Sequence, residues 1–547
     1  MKGFRVLYIA VVFLVVFSVI GVASENGPEY GGTLTIGIPV APQGWFNPLI
    51  SSSKYDLDVA KHIFNGLIEI GPDMEYIPSL AKEWEFSEDG LEWTFYLRDD
   101  VRWHDGKAFT TKDVNFTFTT LLHPKYFGGK GADFIFIEGA REFKSGEAQF
   151  ISGIQVIDDY TIKFRLTESF APFMESMTFP ILPEHLLKGV PVTELDKASF
   201  NLHPVGTGPY KLERYVNGQY VELKANEEYF VRRPYIDRII YKIITNEDAM
   251  VIALGNGEID IADIQPKYLE YLRDMSNLNI YEYPNYGEGY AYMGLNLRKP
   301  VFQSKTVRQA LAYAIPRELF VQTILKGYGE VANVPISPLN WAYSDELNDY
   351  PYDPRRAAEL LDEAGWVQGD NGLRAKDGRR FEFDLMYPAG DKIRGSLSAI
   401  IQGTLRSLGI KVNLMPTEPN ALAASTFPKL FGKTSVESDF DAYILAWTLY
   451  GADPDPYIIW HSQSPYNGIG FANLRSDELL HKGRSTLKLD ERKKIYWEWQ
   501  TLINDELPYV FMYFKKSVVG VNKRVVGIQP CAFGITPDIC DLWLNLN

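Results

Sequence analysis

Residues 381–414 constrain the fold of this chain more than any other stretch. Phe381, Phe383, Leu385 and Tyr387 alternate in period two, the pattern of a half-buried strand. Leu397, Ile400, Ile401 and Leu405 then fall on one face at helical spacing, and Gly409 closes that helix. Ile410, Val412 and Leu414 alternate again. A strand–helix–strand unit of this length predicts a parallel sheet, so the chain is α/β in class. Strand and helix signals alternate elsewhere too. Gly32–Ile38, Leu91–Leu97 and Thr161–Leu166 read as strands, divided by turn clusters such as Glu88-Asp89-Gly90. Val307, Ala310, Leu311 and Ala314 make a helical face interrupted by Pro316. Asp353-Pro354 is a helix cap followed by proline at the first helical position, and Gly365 ends that helix.

At 547 residues the chain has room for about three or four units of ordinary size. No proline- or serine-rich linker separates them, so several chain crossings between domains are expected. An aromatic fraction of 14% with 23% charged residues excludes a disordered chain. Two cysteines exclude a disulfide-rich scaffold. A net charge of −15 without a basic block excludes a nucleic-acid binder, because phosphate neutralisation needs clustered Lys and Arg. The 11 Trp, 33 Tyr and 32 Phe belong either to core or to ligand stacking.

The first 24 residues read as an export signal. Lys2 and Arg5 precede an apolar run from Val6 to Phe17, and small residues follow at Gly21–Ser24. The run falls short of the roughly 20 residues a spanning helix needs. No cysteine lies near the expected cleavage point, so lipid attachment there is excluded. The mature chain is expected to be periplasmic or otherwise extracytoplasmic. Export makes a bridge between Cys531 and Cys540 possible, with two free thiols the alternative.

No catalytic constellation stands out. The seven histidines show no zinc spacing, and no G-x-S-x-G elbow occurs. Gly432-Lys433-Thr434 resembles the end of a phosphate loop, but Phe427 occupies the required glycine position. Gly206-Thr207-Gly208-Pro209 reads as a turn, and Asp453-Pro454-Asp455-Pro456 as a rigid capped turn. The chain is read as a non-enzyme that needs no cofactor and no metal, with a secreted hydrolase as the distant alternative.

An ordered set of motifs carries a resemblance. It runs through Gly31-Gly32-Thr33-Leu34, Phe46-Asn47-Pro48 and Pro78-Ser79-Leu80-Ala81-Lys82-Glu83-Trp84. Ser87-Glu88-Asp89-Gly90, Leu97–Gly106 and Pro204–Tyr210 follow. Val307-Arg308-Gln309-Ala310-Leu311, Tyr352-Asp353-Pro354 and Trp447–Pro456 complete it. From Tyr30 onward the chain resembles the substrate-binding proteins of oligopeptide and dipeptide ABC importers, the family-5 solute-binding proteins. The resemblance implies a periplasmic-binding-protein-like fold of type II, cluster C: two α/β lobes, a two-strand hinge and an extra N-terminal inserted domain. The implied partition is 25–68, 199–286 and 517–547 for lobe I, 69–198 for the inserted domain, and 287–516 for lobe II. It also implies a monomer whose lobes close over a ligand and dock on membrane permease subunits driven by separate ATPase subunits.

In peptide-binding members an aspartate soon after the equivalent of Trp447 pairs with the ligand's α-amino group. Here that position falls on Tyr450, which is neutral, with Asp453 as the alternative. A neutral ligand follows as the expectation: a short oligosaccharide, such as a β-linked manno- or cello-oligosaccharide, with oligopeptide as the alternative. Sugars stack on aromatic faces and need hydrogen-bond partners for their hydroxyls. The candidate platforms are Trp45, Phe46, Tyr290, Tyr292, Trp447 and Tyr450, and the candidate polar partners Asn47, Asn296 and Asp453. Trp84, Trp93, Trp103, Trp497 and Trp499 are assigned to core or surface.

Overall fold

The computed structural model describes residues 27–433, 439–449 and 451–546. The expected export segment and Tyr450 lie outside the described residues. The strand–helix–strand unit forms as its periodicity predicts. Strands Glu382–Pro388 and Lys411–Thr417 pair in parallel, from Glu382 opposite Lys411 to Pro388 opposite Thr417. Helix Lys392–Ser407 crosses between them, capped by the Asp391 carboxylate, which accepts the Arg394 N–H. Leu397, Ile401 and Leu405 are buried against the sheet. The Asp353 cap forms likewise, accepting the Arg356 N–H at 2.9 Å at the start of helix Pro354–Glu363.

This unit belongs to a 12-stranded mixed sheet that runs through both lobes. In the first lobe, Thr33–Ile38 pairs in parallel with Arg238–Ile243 and with Ile261–Asp263. In the second, Tyr290–Leu295 pairs antiparallel with Ala442–Trp447, which lies parallel to Glu382–Pro388. One strand of 14 residues, Tyr509–Asn522, joins the two. Its first half pairs with Tyr290–Gly294 and its last residues with Ile261–Asp263. Strand Leu278–Pro284 pairs with Lys516–Asn522 and leads through 285–289 into Tyr290. These are the two hinge crossings.

The register fixes where the strand ends point. Moving along Thr33–Ile38 toward Ile38 corresponds, through Ile261–Asp263, to moving from Val521 to Val519. Moving along Ala442–Trp447 toward Trp447 corresponds, through Tyr290, to moving toward Phe514. The carboxyl ends of the parallel strands of both lobes therefore face the middle of the joining strand. That crevice is where open α/β sheets take ligands.

A separate four-stranded antiparallel sheet is built from Ala81–Phe86, Glu92–Leu97, Thr161–Arg165 and Ile154–Asp158. Alternation along Glu92–Leu97 buries Trp93, Phe95 and Leu97 on one face. Its core is continuous with that of the first lobe, whereas the second lobe packs around its own core from Tyr290 to Tyr513.

The bridge allowed for Cys531 and Cys540 is not made; both are free thiols. Cys531 sits in a tight turn closed by its N–H to the Gly534 carbonyl at 2.8 Å, and Cys540 is buried on a short 3-10 helix, Ile539–Asp541. Burial, with Asp538 beside it, pushes the Cys540 thiol far above the usual range, so the nucleophilic thiolate is disfavoured.

Candidate functional site

The loop that follows Thr33–Ile38 leaves the strand at its carboxyl end, the end that faces the crevice. The buried Asp56 carboxylate of helix Lys54–Ala60 accepts the N–H groups of Gln43 at 2.9 Å and of Gly44 and Trp45 at 2.8 Å. Three charge-assisted hydrogen bonds hold the loop rigid. Within it, the three candidates separate. Phe46 is fully buried and meets the Tyr215 ring edge-on at 5.3 Å. Asn47 is also buried, donating to Asn201 Oδ1 at 3.0 Å and accepting the Leu49 N–H at 3.1 Å. Both are anchors. Trp45 is the exposed one of the three, at 41%.

The second-lobe wall is the hinge end of Tyr290–Leu295 and Ala442–Trp447. Tyr290 pairs with Trp447 across the sheet. Tyr292 is sandwiched between Tyr509, with centroids 4.0 Å apart, and Trp447, parallel to it at 6.2 Å. Tyr290, Tyr292 and Tyr443 are fully buried, and burial pushes all three phenols well above their ordinary range. The polar atoms of this cluster face one another: the Trp460 indole lies beside the Tyr290 hydroxyl, and the Tyr292, Tyr443 and Tyr509 hydroxyls gather with the Trp447 indole. Tyr290 and Tyr292 thus lie in a buried aromatic layer with Trp447. Trp447 itself is half-buried, flanked by Phe427 at 5.3 Å and Tyr466 at 6.0 Å. Gly289, at φ 60°, packs where a Cβ would collide with the Trp447 carbonyl, so the hinge turn requires glycine.

Two polar candidates lie elsewhere. Asn296 follows Leu295, which pairs with Ala442, so it sits at the end of its strand away from the hinge. It is buried, donating to the Phe440 carbonyl at 2.8 Å and accepting from Arg298 at 3.1 Å. Asp453 is committed to Arg492. The guanidinium donates to both its oxygens, at 2.5 and 2.8 Å, with side-chain exposures of 6% and 5%. Asp453 also accepts the Asp455 N–H at 2.9 Å, and Asp455 pairs with Arg484 at 2.8 Å. The Asp-Pro-Asp-Pro segment is a capped turn held by two arginines, and Asp453 already accepts three hydrogen bonds within it.

Sequence reasoning missed Asp56, Arg492 and Glu175. Glu175, on the short helix Phe173–Ser176, accepts the N–H groups of Ala452 and Asp453 at 2.8 and 3.3 Å. Each of these contacts spans tens to hundreds of residues or lies on an unremarkable helix, so no local pattern announces it.

Residues 75–468 match the model of bacterial extracellular solute-binding proteins, family 5 Middle. The oligopeptide-binding protein AppA of Bacillus subtilis is 30% identical over 516 residues, covering 92% of this chain and 90% of the relative. Heme-binding protein A of Haemophilus influenzae is 28% identical over 528 residues, covering 90% and 89%. Among solved structures, Bacillus subtilis AppA in complex with a nonapeptide matches with a TM-score of 0.75 at 29% identity, over 95% of this chain and all of that one. The ABC transporter substrate-binding protein CtaP of Listeria monocytogenes matches with a TM-score of 0.81 at 28% identity, over 94% of this chain and 100% of that one. The chain belongs to family 5 of the bacterial extracellular solute-binding proteins.

Proposed function

We propose that this protein is the extracytoplasmic substrate-binding component of an ABC importer and that it carries an oligopeptide. The observation that carries the reading is the convergence of strand carboxyl ends from both lobes on one crevice, and Trp45 and Trp447 are the aromatics we assign to its walls. Closure of the lobes would bury the ligand and create the surface that membrane permease subunits recognise. The partition into 25–68, 199–286 and 517–547, 69–198, and 287–516 is part of this proposal, as is a monomeric state.

The peptide is preferred over the oligosaccharide for two reasons. The similar AppA protein takes a nonapeptide. And an extended peptide can be held through its backbone groups, with side chains in pockets, so it needs no buried carboxylate for its ammonium. The commitment of Asp453 to Arg492 therefore removes an end-anchored short peptide before it removes a longer one. One observation favours a sugar: Trp45 and Trp447 are both partly exposed, and both could stack on a pyranose face.

Thermal shift against peptides of two to nine residues and against manno- and cello-oligosaccharides tests the proposal. A ligand at about 100-fold over its Kd stabilises by about 2.7 kcal/mol, a rise of about 2–3 °C for a chain this long. Stabilisation by the longer peptides of that series is expected. Stabilisation by saccharides alone would sink the peptide reading.

A further inference from the structure

The four-stranded unit touches the second lobe at a place remote in sequence from the hinge strands. Glu175 Oε2 accepts the Ala452 and Asp453 N–H groups at 2.8 and 3.3 Å and the Tyr76 hydroxyl at 2.9 Å. Ala452 is buried, and Gly451 lies so close that a Cβ there would collide with the Glu175 carboxylate. A second set of contacts lies nearby in the same unit. The Ala171 N–H donates to the Arg484 carbonyl at 2.7 Å, and the Ser169 hydroxyl to the Ser485 carbonyl at 2.9 Å. The Arg484 guanidinium lies over Phe170 at 5.1 Å and Phe136 at 5.6 Å, both of the four-stranded unit, and over Tyr457 of the second lobe at 3.9 Å. The same guanidinium donates to Asp455. Asp455 accepts from one side of this interface, and Asp453, two residues earlier, presents its N–H to the other.

We propose that these contacts form a clasp, by which the inserted unit holds the second lobe against the first and fixes the 451–453 loop. Glu175 is the positioning residue. Its carboxylate gathers two consecutive backbone N–H groups that no other described side chain accepts, and Gly451 leaves room for it. Arg484 is the second point of the clasp, a cation between aromatic rings from both bodies, a contact stronger than a surface ion pair because the rings exclude water from it. The two points are joined through the Asp453–Asp455 turn, so loosening one loosens the other. The proposal stands apart from the nature of the ligand and is read without one.

Amide hydrogen exchange on the full chain tests it, comparing the parent with Glu175→Ala, Glu175→Gln and Arg484→Ala. Glu175→Ala is expected to speed exchange at Ala452 and Asp453 by about tenfold or more, the loss of hydrogen bonds to a charged acceptor. It should also speed exchange at Ala171, which Glu175 does not touch. Glu175→Gln retains an acceptor oxygen and should recover most of the protection. Arg484→Ala should speed exchange at Ala452 and Asp453 in turn. If Arg484→Ala lowers the yield of folded protein, Ser169→Ala cuts the same point through one hydroxyl and carries the same expectation. Changes confined to the amides whose own partner was removed would overturn the clasp. So would a Glu175→Gln variant that exchanges as fast as Glu175→Ala.

Discussion

Replacing Asp453 with alanine should destabilise the second lobe strongly without any ligand being present. The Arg492 guanidinium would keep only the Gly483 carbonyl at 2.6 Å and the Tyr496 hydroxyl at 3.1 Å as polar partners, at 6% side-chain exposure. Breaking a buried pair in this way leaves the guanidinium with only Asp455, already held by Arg484, as a nearby carboxylate and costs about 3–5 kcal/mol. A lobe of roughly 230 residues has a melting entropy of about 0.5 kcal/mol/K, so its Tm should fall by about 6–10 °C. If the whole chain melts as one unit, the same cost lowers Tm by about 3–5 °C. Differential scanning calorimetry separates the two cases by the number of transitions. Combining Asp453→Leu with Arg492→Met removes both charges and should restore most of the loss, because a buried pair is often no better than apolar residues of similar volume. A Tm of Asp453→Ala within about 1 °C of the parent, or a double variant less stable than the single one, would refute the reasoning. A loss of peptide binding at unchanged stability would return Asp453 to the ligand site.

Trp45 and Phe46 should behave oppositely. Trp45→Ala should leave Tm within about 1 °C and weaken ligand affinity about tenfold in calorimetry, whereas Phe46→Ala should cost about 3–5 kcal/mol in denaturant unfolding. Gly289→Ala should destabilise by at least about 1–3 kcal/mol in the same assay, since its backbone conformation is open to glycine alone. Acid should act through His62, buried between Tyr210 and Tyr241. Burial first, and Lys61 second, push it from 6.5 down to about 3, with Asp58 opposing. Between those values the unfolded chain binds a proton and the folded chain does not, so stability falls as pH drops through that window. His62→Gln should flatten that part of a Tm-against-pH curve, and an unchanged slope would count against it.

The α/β class was legible because periodicity is local. The crossover at 381–417, the Asp353 cap and the alternation along Glu92–Leu97 each depend on neighbours a few residues apart, and each formed where the pattern placed it. The family was legible for a related reason, since its motifs are short turns and strand starts in fixed order. The walls of the crevice were legible only in part. Trp45 is partly exposed and Trp447 half-buried, whereas Phe46, Asn47, Tyr290 and Tyr292 are buried. A strand's inward face is set by what the opposite layer brings to it, and no window of sequence contains that layer.

By itself the sequence determined which segments become strands and helices and that an acidic, aromatic-rich chain would pack them into α/β lobes. Only the tertiary structure decided which aromatics are free and which carboxylates are spent. Asp453 has no visible partner in the sequence until Arg492, 39 residues on, is folded against it. Glu175 reads as nothing until Ala452, 277 residues on, presents its N–H. The physical reason is that a buried charge takes its role from the partner that compensates it, and folding brings that partner from a distance the sequence pattern does not span.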